Sequence, residues 1–125
     1  MNNWVDGWVD WNMVLDRQGG PNWFKNWCVA PVIVDPDKDE VYFTPLYYTM
    51  AHFSKFMRPG AVKIGCTINS KEVVTTAVKN PDGSIAVAIF NPSETKQTIE
   101  LQLNKQNTLI SIDAKALQTV IIKPN

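Results

Sequence analysis

Cysteine is scarce in this 125-residue chain, which has only Cys28 and Cys66. Two cysteines are too few for a disulfide framework and lack the paired spacing of a zinc site, so we expect two free thiols. A surplus of charge is also missing, because twelve Lys and Arg balance twelve Asp and Glu. Nucleic acids and anionic bilayers are therefore not expected as partners.

Long apolar runs are absent as well. No stretch reaches the roughly 20 apolar residues of a membrane span. No basic start near Met1 leads into an apolar run, as it would in a secretion signal. We expect no membrane span, and the sequence leaves the compartment open.

Histidine is limited to His52, which lies in an expected helix with no Cys, Asp or Glu at ligand spacing. A structural helix residue is the favoured interpretation. Gly19-Gly20 is not a phosphate loop, since Lys25 lacks the spacing and the strand-to-helix context that would cradle a nucleotide. The sequence thus indicates no metal and no cofactor.

Tryptophan, by contrast, is abundant, but only in the first 27 residues, where glycine and proline accompany it. This composition is typical of loops that carry aromatics. A short strand is predicted over Gly7–Asn12, a turn over Asp16–Gly20 and an extended run over Pro31–Asp35.

A helix is predicted from Thr44 to about Phe56. The Thr44 hydroxyl can cap free amides, and Pro45 fixes the first helical φ without losing a hydrogen bond. Pro59-Gly60 supplies the stop. Apolar residues recur at three- and four-residue spacing along one face, which should be buried: Leu46, Met50, Phe53 and Met57.

From Ala61 onward the hydrophobic period drops to two, which predicts short strands. Ile85–Phe90 is apolar on both faces and should be central, whereas Thr98–Leu103 has one wet face. Asn80–Gly83 supplies a hairpin turn. Such strands, joined by polar turns, favour a mainly β fold, an antiparallel β-sandwich. The predicted strands are Val62–Ile68, Val73–Val78, Ile85–Phe90, Thr98–Leu103, Leu109–Ile112 and Leu117–Ile122.

Three motifs occur in a specific order: Trp8–Asn12 (WVDWN), Gly19–Trp23 (GGPNW) and His52–Phe56 (HFSKF). With them the chain resembles glycoside hydrolase family 30, close to its glucosylceramidase branch. Members of that family join a (β/α)8 barrel to a side β-sandwich. The resemblance implies that residues 1–60 are the end of the barrel, with its eighth strand, a loop and its last helix. Residues 61–125 would then be most of the sandwich.

The resemblance also implies a retaining β-glycosidase, acting on a β-glucoside, that uses two catalytic glutamates. Both should lie upstream of Met1, because a complete barrel takes about 250 residues. Retaining enzymes need two carboxyl groups roughly 5 Å apart. None of this chain's glutamates sits beside the aromatics, so we nominate no catalytic residue and expect the chain alone to be inactive: Glu40, Glu72, Glu94 and Glu100.

Sugar contacts are implied by the resemblance for Trp11, Asn26 and Trp27. Trp11 would follow the eighth strand, at the end where barrel enzymes build their sites. An indole offers a flat apolar face and one N–H donor to a sugar. The alternatives are core packing for Trp11, a turn cap for Asn26 and a loop anchor for Trp27. Asp10 is interpreted as a structural hydrogen-bond acceptor.

An alternative function is an autonomous carbohydrate-binding or structural β-sandwich module. Every tryptophan precedes Cys28, and residues 61–125 offer only Phe90 as an aromatic, which argues against a binding module. The expected partners are a β-glucoside and the missing barrel. The aromatics of Trp4–Trp27 should be poorly ordered or packed on a neighbour, and self-association is expected through them or through an open sheet edge.

Overall fold

The computed structural model describes residues 1–68 and 70–124. The chain divides into two compact units. The first unit comprises Asn3–Ala51, and the second unit comprises Met1–Asn2 together with the residues from His52 onward. Within the described residues, no helix has the length and hydropathy that crossing a bilayer requires.

A three-stranded sheet forms the first unit, with β1 (Val14–Asp16), β2 (Val32–Asp35) and β3 (Glu40–Phe43) in that order. β1 runs parallel to β2, and β3 runs antiparallel to it. The extended run predicted over Pro31–Asp35 therefore corresponds to β2. The turn predicted over Asp16–Gly20 follows directly on β1.

The strand predicted over Gly7–Asn12 is wrong, because those residues form no strand and β1 begins at Val14. A strand exists only where a partner completes its hydrogen-bond ladder. Here the ladder starts where the Val32 amide donates to the Met13 carbonyl at 3.0 Å. Pro31 lacks an N–H and cannot extend that ladder backwards along the chain.

β3 is a strand that the sequence analysis did not predict. All four of its residues are exposed, so the alternation of buried and exposed positions that marks a strand is missing. The turn before it ends at Asp39, which has a φ of +54°. Aspartate tolerates this left-handed conformation, and the turn brings Glu40 opposite Asp35.

The helix α1 spans Pro45–Ser54, close to the predicted limits of Thr44 and Phe56. Its first turn closes where the Tyr47 amide donates to the Thr44 carbonyl at 3.0 Å. The predicted cap through the Thr44 hydroxyl is wrong. That hydroxyl lies 3.1 Å from the carbonyls of both Ala30 and Pro31 and donates to them instead. No residue of α1 is fully buried, whereas Met57, just beyond it, is buried.

The second unit is an antiparallel β-sandwich, which confirms the predicted fold class. Its larger sheet has the order β4-β5-β6-β9, and a separate hairpin pairs β7 with β8. β6 is the central strand that the apolar pattern predicts, and Ala86–Ile89 in its interior are buried. The bounds are β4 Val62–Ile64, β5 Val74–Lys79, β6 Ile85–Phe90, β7 Gln97–Leu103, β8 Gln106–Ile112 and β9 Leu117–Ile122.

The larger sheet has an apolar cluster on each of its faces. Ile99 and Leu101 of β7 pack over Val87 and Ile89 on one face. The other face holds a smaller cluster of buried residues: Met57, Val78, Ala86 and Ala88. Because β6 contributes to both clusters, its side chains are buried on each side, and this explains its uninterrupted apolar sequence.

The predicted turn between β5 and β6 is present. The Asn80 amide donates to the Ser84 carbonyl at 2.8 Å, and the Gly83 amide donates to the Asn80 carbonyl at 2.9 Å. Gly83 has a φ of +83°, which a side chain would disfavour. The turn fixes the register of β5 against β6, with Lys79 opposite Ile85.

Asn91, directly after β6, is a fully buried polar side chain. Its Nδ2 donates to the carbonyls of Thr95 and Asp113 at 2.8 and 2.9 Å. Its Oδ1 accepts from the Ser93 amide and hydroxyl at 3.1 and 2.7 Å. One side chain therefore joins the exit of β6 to the start of the hairpin and to the segment after β8.

His52 supplies a prediction on the pH dependence of stability. Its Nδ1 lies 2.8 Å from the Thr119 hydroxyl, and partial burial lowers the pKa of the imidazole below its ordinary value. A lowered pKa means that the folded state binds fewer protons than the unfolded state. The resulting stabilisation is present above about pH 6.5 and is lost as the pH falls through the folded-state pKa.

We therefore compare the urea midpoints of the wild-type chain and of His52→Gln at pH 7 and pH 5, roughly the range in which histidine titrates. The wild-type midpoint should fall by more than the His52→Gln midpoint. Glutamine can still bond to Thr119 but does not titrate. Other acidic groups contribute equally to both proteins. Equal decreases in the two midpoints would show that His52 does not couple protonation to folding.

Candidate functional site

The turn after β1 is closed by the side chain of Asp16. Its Oδ1 accepts from the amides of Gln18 and Gly20 at 2.8 and 2.9 Å. Its own amide donates to the Gly20 carbonyl at 2.7 Å, and the Gly19 amide donates to the Asp16 carbonyl at 3.0 Å. These four bonds hold the chain from Asp16 to Gly20 in one tight loop.

Gly19 and Gly20, at the end of this turn, form a glycine platform. The chain comes back to this platform in the segment Asn26–Cys28, called the returning segment below. Gly19 has a φ of +86°, and a Cβ there would lie 2.4 Å from the Cys28 carbonyl oxygen. A Cβ on Gly20 would lie 3.4 Å from the ring of Trp27. The backbone of Cys28 thus approaches Gly19 more closely than a side chain would allow, whereas the indole of Trp27 lies at ordinary van der Waals distance from the space beside Gly20.

Asn26 and Trp27, two of the predicted sugar contacts, lie together on this returning segment and are exposed. The Asn26 backbone amide donates to Asn22 Oδ1 at 3.1 Å. Its side-chain amide makes no hydrogen bond within the described residues. The Trp27 side chain is 57% exposed although its ring edge borders the space beside Gly20. An amide and part of an indole are therefore available side by side to an external ligand.

Trp11, the third predicted contact, is 72% exposed and lies before β1. The prediction that it follows a strand is therefore wrong, because the first strand begins only at Val14. Its amide donates to Asp10 Oδ1 at 2.8 Å, so Asp10 accepts a local hydrogen bond. In the described part of the chain, neither a hydrogen bond nor a ring contact links Trp11 to Asn26 or Trp27.

A partly buried ion pair next to this loop was not predicted from the sequence. Arg17 Nη1 lies 3.0 Å from Asp35 Oδ2, and Asp35 is only 1% exposed. Nearby, the Tyr42 hydroxyl donates to Glu40 Oε2, and this bond raises the pKa of the Tyr42 phenol. The only signal for Asp35 in the sequence is its position at the end of an apolar run, which does not identify its partner.

The described glutamates lie in separate local environments. Glu40 accepts from Tyr42, and Glu94 pairs with Lys115 at 2.7 Å. Glu100 is exposed on β7. No hydrogen bond joins two of these carboxyl groups within residues 1–68 and 70–124. The same residues hold no group of three His, Cys, Asp or Glu side chains that could bind a metal ion.

Comparison with known proteins gives matches along most of the chain. The model of the glycosyl hydrolase family 30 TIM-barrel domain matches residues 1–57. The model of the glycosyl hydrolase family 30 beta sandwich domain matches residues 60–120. Both models describe parts of the same family, and they match in the order that the sequence motifs predict.

Individual relatives agree with the family models. A protein of Caenorhabditis elegans named as a candidate glucosylceramidase is 43% identical over 107 residues, which are 82% of this chain and 20% of that protein. The lysosomal acid glucosylceramidase of Mus musculus is 42% identical over 90 residues, which are 71% of this chain and 18% of that protein. A solved structure of an endo-β1,6-glucanase matches with a TM-score of 0.90 at 26% identity, over 98% of this chain and 28% of that one.

The chain spans about a fifth of the length of the curated relatives that it matches. Within that span, the order of the motifs, the antiparallel sandwich and the two family models all agree. The chain belongs to glycosyl hydrolase family 30.

Proposed function

We propose that this chain supplies part of the sugar pocket and the structural β-sandwich of a retaining β-glycoside hydrolase acting on β-glucosides. Residues 1–60 would form the end of the barrel, and residues 61–125 would form the sandwich. The two catalytic glutamates would lie elsewhere in a longer protein. The missing barrel and the β-glucoside are then the partners of this chain.

The exposed pair of Asn26 and Trp27 on the glycine platform carries this proposal. A sugar ring presents apolar C–H groups on one face and hydroxyls at its edge, and pockets match it with aromatic walls and a few polar groups. The Trp27 indole and the Asn26 amide offer both kinds of contact. Trp11 would add a second aromatic surface.

Other features support a role as part of a larger enzyme. Several large apolar side chains of the first unit are highly exposed, and such patches usually contact a partner. β4 and β9 are the two edge strands of the larger sheet, and each has an unpaired side within the described residues. The missing barrel would cover these surfaces, and a second copy of the chain would be a weaker substitute. The exposed residues include Trp4, Val9, Trp11, Trp23 and Phe24.

Titration with methyl β-D-glucopyranoside tests the pocket directly, with the tryptophan indole N–H signals followed by NMR. We expect weak binding, with a Kd on the order of millimolar. Trp27→Ala should weaken binding about three- to tenfold, because a stacked aromatic contributes about 0.5–1.5 kcal/mol beyond its buried area. Asn26→Ala should weaken it by a similar factor through the loss of a hydrogen bond.

Trp23→Ala is the matched control, since Trp23 lies in the same loop, is 99% exposed and has no proposed contact. It should leave the affinity unchanged. Equal losses for Trp23→Ala and Trp27→Ala would mean that the signal reports non-specific stacking. A parallel titration with a β-1,6-linked disaccharide and a β-xyloside would show which sugar class the pocket prefers.

A further inference from the structure

We infer that Asp16 is a positioning residue for the sugar pocket, because it holds the glycine platform on which Trp27 rests. This inference rests on the proposed function in one respect, because its expected consequence is a change in sugar affinity. Asp16 itself is not proposed to touch the sugar. It acts through Gly19 and Gly20 on the orientation of the Trp27 indole and the neighbouring Asn26 amide.

Asp16 makes several hydrogen bonds within the turn. One carboxylate oxygen accepts two backbone amides, and hydrogen bonds to a charged acceptor are stronger than neutral ones. The second carboxylate oxygen, Oδ2, lies 3.2 Å from the point where a Gly20 Cβ would stand. The carboxylate therefore sits directly against the glycine that carries the indole.

The returning segment meets the platform at both glycines. The Cys28 amide reaches the Gly19 carbonyl at 3.4 Å, which is a long hydrogen bond. The Trp27 ring edge borders the space beside Gly20. Because the returning segment meets both glycines, the position of the Trp27 side chain should depend on where Asp16 holds them.

The residue after Asp16 anchors the turn to the sheet. Arg17 follows Asp16 directly and pairs with the buried carboxylate of Asp35 at the end of β2. Asp16 shapes the turn, and Arg17 fixes the turn to the neighbouring strand. The loop therefore has a defined orientation relative to the sheet before any sugar arrives, and such preorganisation favours binding.

The experiment compares Asp16→Ala with Asp16→Asn in the full chain. Asparagine keeps an oxygen that can accept both amides, whereas alanine keeps none. In Asp16→Ala the Trp27 indole N–H signal should shift and broaden, and the Kd for methyl β-D-glucopyranoside should rise about tenfold. Asp16→Asn should restore the signal and bring the Kd to within about twofold of the wild type.

Asp37→Ala serves as control, because Asp37 is an exposed carboxylate in the turn after β2. It should change neither the indole signal nor the affinity. Methyl signals of Ile33 in β2, and of Ile89 in the core of the second unit, should stay unchanged in all variants and show that both units remain folded. Unchanged indole and affinity in a folded Asp16→Ala variant would overturn the inference.

The two proposals fail in different ways. If the wild-type chain does not bind the glucoside, the proposed function of the pocket fails, and the indole signal still decides whether Asp16 positions Trp27. If the wild type binds and Asp16→Ala binds equally well, only the positioning role fails. Loss of the indole signal in both Asp16→Ala and Asp16→Asn would also contradict it, because asparagine should rescue the turn.

Discussion

Incubated with an aryl β-glucoside, this chain is expected to release no aglycone faster than buffer does. Retaining cleavage needs a nucleophile and a proton donor roughly 5 Å apart. No hydrogen bond among the described residues joins two glutamates, and Glu94 is already paired with Lys115. General acid catalysis alone contributes about 10²- to 10⁴-fold, and without the nucleophile the covalent route is closed. The measurement is absorbance of the released phenol between about pH 5 and 7, the range in which a carboxylic acid of raised pKa can act.

The controls for this assay are single changes of each glutamate to glutamine. Any activity that survives all four changes comes from another protein in the preparation or from other groups of the chain. Activity that a single change removes would identify a catalytic carboxyl group and would overturn the proposal that the catalytic glutamates lie elsewhere. The residues to change are Glu40, Glu72, Glu94 and Glu100.

Asn91→Ala is expected to cause the largest loss of stability of any single substitution considered for this chain. The substitution removes five hydrogen bonds of a fully buried side chain, and the one to the Ile112 carbonyl, at 3.5 Å, is itself buried. Each buried group left unsatisfied costs about 1–3 kcal/mol, so the free energy of unfolding should fall by about 2–5 kcal/mol. Urea denaturation followed by circular dichroism measures this change.

Gln97→Ala provides the comparison for Asn91→Ala. Gln97 Nε2 also bonds within the same segment, to the hydroxyls of Ser93 and Thr95 at 3.3 and 3.0 Å, but near solvent. Water can replace those bonds, so the free energy of unfolding should fall by no more than about 0.5 kcal/mol. A similar effect of the two substitutions would mean that the buried network around Asn91 does not hold the sandwich together.

The sandwich could be predicted well because the pattern of apolar residues within each strand indicates that strand. Ile85–Phe90 and Leu117–Ile122 have the predicted bounds, and the alternation in β7 matches its exposed and half-buried positions. β7 and β8 start earlier than predicted, at Gln97 and Gln106, because a hairpin extends pairing into polar residues that show no apolar alternation. Local pattern therefore identified each strand, while pairing decided its length.

The first unit was harder to predict, since its structure depends on residues that are far apart in sequence. Arg17 pairs with Asp35, and the returning segment rests on the glycines. The sequence pattern predicted the turn over Asp16–Gly20, and the family resemblance pointed to Trp27, but neither gave a sign that Trp27 lies beside Gly20. The role of Asp16 was missed for the same reason, because an aspartate in a turn is too common to indicate its partners.

The central position of β6 has a consequence for how the protein aggregates. The segment Ile85–Phe90 contains six apolar residues with no charge and no proline, a composition that assembles readily into intermolecular β-structure when exposed. In the native fold β5 and β9 cover both of its backbone edges. Detachment of β9 alone would uncover one of these edges while the rest of the sheet stays folded. Shelf life and yield should therefore follow the rate at which β9 detaches more closely than the equilibrium stability of the whole chain.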